Sequence, residues 1–540
     1  MKYADRVFLN GNIYTVDDGF SKAEAVAVRA KRILLVGSNE EAKACIGPDT
    51  QVTDLGGKTM LPGFIEGHMH LMMYGDSLLK LPIRDKSKEE ILAMVKAAAE
   101  QTPAGKWILG GMGWNNEVWK DPSYPTKEEL DAVSGDHPVL LPRMDGHMTW
   151  GNSLAFRLAG VTEDTPNPEG GEFMRKPDGS LLGCAGNAAK NVLNAAVPAP
   201  DKESRREALN AAHKMLLSYG VTSLNEMHTE FDVLNDVREM IEKGEFAVRF
   251  HGALSGAIGP KADPRERAYF LENCPVVGEC DNHFTMAAIK TLADGSVGAQ
   301  SAALLEDYSD RPGHRGTLMH TDEEFYDLVK EAAAHNMQMI THAIGDRAID
   351  QTLRIYQQVL DELPDGRERR FRLEHFQTVT GDSRERAKEL GVVASMQPLH
   401  APNSASMAMR RLGADRASRA YAVGMVLEVM GKIAGGSDAP VSVPNPLAGI
   451  HAAVTRTGLS GQPEGGFFIE NAITREQAVK AYTTWGAYAQ KTEQEKGSIG
   501  RGKLADFVVL DRDILTCPDA QILGTKVLET VIDGKTVFKA

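Results

Sequence analysis

Between residues 61 and 494, short uninterrupted apolar runs alternate with stretches whose apolar residues recur at helical spacing. A short apolar run without polar alternation reads as a strand buried on both faces. The amphipathic stretches between such runs read as the helices that cover them. Eight strands are predicted: Met60–Ile65, Val221–Met227, Val248–Leu254, Phe284–Lys290, Met337–Thr341, Phe371–Glu374, Val392–Met396 and Lys432–Gly436. Alternating strands and helices build a parallel sheet, and eight such units suggest an α/β fold closed as a TIM (β/α)8 barrel.

The pattern changes at both ends. Residues 1–60 read as short strands and turns, among them Arg6–Leu9, Ala25–Val28 and Ile33–Val36, and residues 506–510 and 527–532 read alike. Neither end is long enough for a core of its own, so residues 1–60 and 495–540 are expected to pair into one small β-sandwich beside a barrel of residues 61–494. Residues 75–205 interrupt the alternation after the first strand. They hold Trp107, Trp114, Trp119 and Trp150, four of the five tryptophans, and are expected to form an insert over the active face.

Composition narrows the function. The 540 residues carry a net charge of −14, which argues against binding a phosphate backbone or an anionic membrane. Cys45, Cys184, Cys274, Cys280 and Cys517 are odd in number and mostly far apart, as expected of reduced thiols in the cytoplasm. The first residues lack an apolar signal core, and no charge-free run approaches membrane-spanning length.

Candidate chemistry falls at the ends of the predicted strands, where barrel enzymes keep their catalytic groups. His68 and His70, after Pro62-Gly63-Phe64, lie two apart, so on a strand they face the same way, about 6–7 Å apart, and can lean onto one ion. Lys290, His342, His375 and Asp438 end the fourth, fifth, sixth and eighth runs. Each alone reads more simply as a packed histidine, a strand-end lysine or a turn aspartate. Six in barrel order point to a metal site.

These segments resemble the amidohydrolase superfamily, in its family-three branch that includes N-substituted formamide deformylases. Leu61 to His70 is similar to the branch's strand-one motif, and Lys290-Thr291-Leu292-Ala293-Asp294-Gly295-Ser296 to its strand-four signature. Gly500 to Asp506 resembles the return to the sandwich; Gly111-Met112-Gly113-Trp114 and Asp145-Gly146-His147 also fit. Glu66 departs from the wider superfamily, where Asp is commoner, and is expected to affect packing around the ligands only.

The resemblance implies a divalent-metal centre, zinc by its histidine content, of one or two ions. His68, His70 and Asp438 hold one, His342 and His375 the other, and Lys290 bridges them as a carboxylated lysine. It implies a metal-dependent hydrolase that cleaves a non-peptide C–N bond, in an amide or N-formyl or N-acyl group, through a metal-activated hydroxide, with Asp438 as the catalytic base. Trp114, His147 and His228 are expected at the substrate, with His400 ranked lower. The alternatives are a deaminase or cyclic-amide hydrolase of the same superfamily and a non-catalytic barrel. Mononuclear deaminases use a Glu near strand five, which Ala343-Ile344-Gly345-Asp346-Arg347 does not supply, and non-catalytic relatives lose ligands that are all present here. The expected partner is a small-molecule amide, with a homodimer open; neither nucleic acid nor membrane is expected.

Overall fold

The eight parallel strands form in the computed structural model, which describes residues 3–111, 113–144 and 147–540, with only the backbone of Val118. They are β1 (Phe64–Met69), β2 (Val221–Thr229), β3 (Arg249–Leu254), β4 (Phe284–Leu292), β5 (Gln338–Ala343), β6 (Arg372–His375), β7 (Val393–Met396) and β8 (Ile433–Gly435). They pair in chain order from β1 to β8. A parallel bridge between Met69 and Ala439, with the Asp438 N–H donating to the His68 carbonyl at 2.7 Å, brings the two outer strands together. The result is a nearly closed eight-stranded α/β barrel. The short antiparallel strand Val276–Gly278 adds to β4 from outside the barrel order.

The first barrel strand begins later than the apolar run from Met60 predicts. Thr59–Pro62 belongs to another sheet, between Asn12–Tyr14 and Phe507–Leu510. Pro62 has no N–H to give a ladder, and Gly63 packs so tightly that an added Cβ would lie 2.2 Å from the Thr222 hydroxyl. One apolar run is thereby divided between two sheets.

The covering helices follow from local chemistry. Thr321 and Glu324 cap Asp322–Ala334 reciprocally, each side chain accepting the other's backbone N–H. Helix Asp346–Asp361 buries Ile349, Leu353, Tyr356 and Leu360, spaced for one face. Tyr356 docks it by hydrogen bonds to the Thr341 hydroxyl at 2.6 Å and the Arg372 carbonyl at 3.1 Å.

The chain ends meet in two sheets of four and six strands. Their shared core takes Phe8, Ile13 and Val26 from one end of the chain and Phe507, Val509 and Val531 from the other. The fully buried Arg249, first residue of β3, donates to Asp506 at 2.7 Å and Asp533 at 2.6 Å, tying this core to the base of the barrel. All five cysteines are free.

The chain divides into two compact units, one of Met1–Met73 with Ala212–Ala540 and the other of Tyr74–Ala211. The second has its own five-stranded sheet, in the order Gly171–Arg175, Leu181–Asn187, Met148–Gly151, Val139–Pro142, Ile108–Leu109. Trp114, Trp119 and Trp150 pack with Ile91, Val95 and Leu141 in its core. No helix among the described residues is long and apolar enough to cross a membrane.

Candidate metal centre

Side chains from β1, β6 and the turn after β8 converge at the C-terminal ends of the strands. His68, His375 and Asp438, all buried, place ligand atoms within 4.8 Å of one another. Asp438 Oδ1 lies 3.3 Å from His68 Nε2 and 3.4 Å from His70 Nε2, and Oδ2 lies 4.0 Å from His400 Nε2. The His342 and His375 rings meet edge to face, centroids 4.6 Å apart, and His375 stacks on His400 at 6.3 Å. The tightest donor set thus joins His375 to His68 and Asp438, a different grouping from the pairs that the resemblance implies.

Backbone geometry explains how neighbouring residues share one space. Successive residues of a strand face opposite sides, and Glu374 already points into the barrel. His375 has φ +68° and Phe376 φ +41°, and this left-handed turn swings the His375 ring to the same interior. Asp438 has φ +59°. Such backbone persists only where the surroundings impose it, and it clusters at functional sites. Gly436 makes room: a Cβ there would lie 2.6 Å from the His68 nitrogen.

A buried shell orients the imidazoles. Glu374 Oε2 accepts from His68 Nδ1 at 2.5 Å, which directs Nε2 at the site. Arg372 holds that carboxylate through Nε at 2.8 Å and Nη2 at 3.2 Å. The same guanidinium donates to Asn225 on β2, Gly67 on β1 and Ser395 on β7, so one residue spans the barrel interior. His375 Nδ1 donates to Gln397 Oε1 at 2.8 Å, and His342 Nε2 to the Gly295 carbonyl at 3.1 Å. Glu66 accepts the N–H groups of His68 and Ser437, stitching β1 to the turn after β8. Asp294 accepts three backbone N–H groups, from Ala303, Ile344 and Gly345.

The electrostatics suit a cation. Burial opposes charge on Asp438, but His68 and His70 outweigh it and hold the carboxyl well below the usual range. Burial drives His342 down to about 4 and His375 well below its ordinary value, so both are neutral, the form that ligates metal. His68 Nε2, His70 Nδ1 and His400 Nε2 are buried without a hydrogen-bond partner. The unpartnered Nε2 atoms of His68 and His400, both facing the Asp438 carboxylate, fit a divalent ion, because each lone pair gains a partner when the ion binds.

Lys290 is buried at the end of β4, and burial lowers its amine. His228, next to last in β2, is half-exposed and 3.6 Å from Glu230. His147 is exposed in the second unit, and Asp145, Gly146 and Met112 of its companion motifs lie outside the described residues. Trp114, expected at the substrate, is fully buried, donates Nε1–H to the Leu141 carbonyl at 2.6 Å and stacks on Trp119. A tryptophan that follows a glycine in a turn need not be exposed if the turn folds over it. Sequence reasoning missed Arg372, Glu374 and Gln397. The signal was there for the first two, since opposite charges at alternate positions of an otherwise apolar strand point inward together.

Fold and donor set define an α/β-barrel protein with a metal-binding centre at its strand ends. Residues 51–538 match the model of the amidohydrolase family, and the chain belongs to that family. It is 34% identical to Protein LONG AFTER FAR-RED 3 of Arabidopsis thaliana, over 99% of this chain and 92% of that protein. It is 27% identical to the N-substituted formamide deformylase of Arthrobacter pascens, over 98% and 97% of the two chains. A crystal structure of an uncharacterized metal-dependent hydrolase from Pyrococcus furiosus superposes with a TM-score of 0.77 at 26% identity, covering 95% of this chain and all of that one.

Proposed function

We propose that this protein is a metal-dependent hydrolase that cleaves the C–N bond of an N-formyl or N-acyl amide, releasing an acid and an amine. The observation that carries the reading is the convergence of His68, His375 and Asp438 with buried, unpartnered imidazole nitrogens beside them. Membership of the amidohydrolase family and similarity to a formamide deformylase support a C–N bond as the one cleaved.

His68, His375 and Asp438 hold the ion, zinc by its affinity for imidazole, with His70 and His342 beside them. When bound, such an ion lowers the pKa of water and polarises a carbonyl. Were a second ion bound, His342 would be its ligand, and Lys290 would join it only as a carbamate, because an ammonium cannot ligate a cation. Asp438, ionised at neutral pH, takes the proton from the attacking water and passes it to the departing nitrogen. Glu374 and Arg372 keep His68 in one tautomer and orientation.

The test is a hydrolysis screen of N-formyl, N-acyl and cyclic amides, with metal analysis and chelated controls. Release of amine from N-formyl or N-acyl substrates, lost on chelation and restored by zinc, is expected. Ammonia release from amino-heterocycles alone would overturn the bond type. Full activity in protein with no bound metal would overturn the mechanism.

A further inference from the structure

Ala293, Asp294 and Gly295, the residues that follow β4, hold His342 of β5 at three points. The Ala293 N–H donates to the His342 carbonyl at 2.9 Å. The Asp294 carboxylate accepts the N–H groups of the turn just beyond His342, from Ile344 at 3.0 Å and Gly345 at 2.8 Å. The Gly295 carbonyl lies 3.1 Å from His342 Nε2, and Asp294 Oδ1 lies 3.7 Å from the same nitrogen. Asp294 is fully buried, and its third backbone donor, Ala303 at 2.8 Å, ties the loop after β4 to the same carboxylate. Gly295 has no room for a side chain: a Cβ would lie 2.2 Å from the Ser301 hydroxyl.

A neutral imidazole carries one N–H and one lone pair, on different nitrogens. A lone pair on Nε2 would face the Gly295 carbonyl and the Asp294 carboxylate, whose oxygens repel it. A hydrogen on Nε2 is attracted by both, and the carboxylate adds the attraction of a full charge. That tautomer leaves the lone pair on Nδ1, the one a cation can use. The logic at His68 is the reverse, because Glu374 takes Nδ1–H there and frees Nε2. Three backbone donors also call for a carboxylate in place of an amide, which would turn its own N–H toward one of them.

We propose that Asp294 is the positioning residue of His342, fixing its imidazole as the Nε2–H tautomer and its backbone at the end of β5. This role rests on the hydrolase reading for the ion that His342 serves, and not for the tautomer, which the metal-free protein already holds. Losing a partner that orients a ligating histidine lowers metal affinity about 10–100-fold.

Long-range proton–nitrogen NMR of the chelated full chain at neutral pH, where burial keeps His342 uncharged, reads the imidazole tautomers. The signal of His342 is assigned by its loss in His342→Gln. Wild type is compared with Asp294→Asn and Asp294→Ser, and competition with a chromophoric chelator measures zinc affinity in each. Expected are Nε2–H at His342 in wild type, a new Nδ1–H population in both variants and zinc bound about 10–100-fold more weakly. Nδ1–H in wild type would overturn the assignment, as would an unaltered tautomer in a folded variant, whatever its zinc affinity. A shifted tautomer with unaltered zinc affinity supports the positioning of the ring and counts against His342 as a ligand. If neither variant folds, the wild-type tautomer decides alone. None of these readouts needs an amide to be cleaved, so failure of the hydrolase reading leaves them standing.

Discussion

Glu374 Oε2 and His68 Nδ1 meet at 2.5 Å, and neither side chain is exposed. Burial opposes charge on Glu374, but Arg372 and His68 outweigh it and hold the carboxyl far below its ordinary range. The pair carries the order of the barrel interior to the metal centre, because Arg372 is anchored to three neighbouring strands while His68 faces the donor cluster.

Glu374→Gln keeps the shape of the side chain and removes its charge. Metal affinity should fall about 10–100-fold, as for other partners that orient ligating histidines. Competition with a chromophoric chelator measures it. Arg372→Met leaves Glu374 charged in the interior and should cost about 3–5 kcal/mol in urea unfolding. Unchanged metal affinity in Glu374→Gln would mean that other contacts orient His68.

Asp438→Asn should lower kcat by about 10²–10⁴-fold, the usual worth of a placed base. Measurable metal should stay bound, since the histidine donors remain, whereas His68→Ala should lose metal and activity together. Retention of most activity in Asp438→Asn would place the proton transfer on another group, and His400, 4.0 Å from Asp438 Oδ2, is the neighbour to test next.

Trp114→Ala should cost about 3–5 kcal/mol by opening a cavity in the core of the second unit. Thermal melting reads the loss. Ratios of kcat/KM among substrates should be unaltered in whatever fraction stays folded; altered ratios would return Trp114 to the substrate.

Asp533 provides a test in pH. Burial raises its carboxyl, but the bonds to His283 and Arg249 outweigh that and pull it well below its ordinary value. A carboxyl depressed on folding adds stability that is fully present above about pH 5. That stability is lost as pH falls from about 4 toward the folded value. Asp533→Asn should therefore cost about 1.5–3 kcal/mol at neutral pH, the worth of a hydrogen bond to a charged group, and progressively less in acid. Urea midpoints from pH 3 to 8 measure the gap, and a gap independent of pH would exclude the ion pair as its source.

Much of this architecture was legible because long-range order leaves local marks. Buried parallel strands are apolar runs, and residues such as Lys290 and His342 stand out at the ends of such runs. The first strand was misplaced because apolar periodicity reports burial and not which sheet does the burying; Pro62-Gly63 marked the break. His375 sits on the interior side through a left-handed turn that no periodicity encodes. Gln397 lies 22 residues from the imidazole it orients, a distance that sequence spacing does not interpret.

The core that joins Ile13 to Phe507 has a temporal side. On a ribosome adding about 5–20 residues per second, the N-terminal strands wait roughly 25–100 s for their partners. During that interval the nascent chain holds half of a sandwich, with apolar strands such as Ala25–Arg29 lacking the C-terminal half of their core. Apolar strands left waiting in this way are the kind of surface that chaperones shield during synthesis.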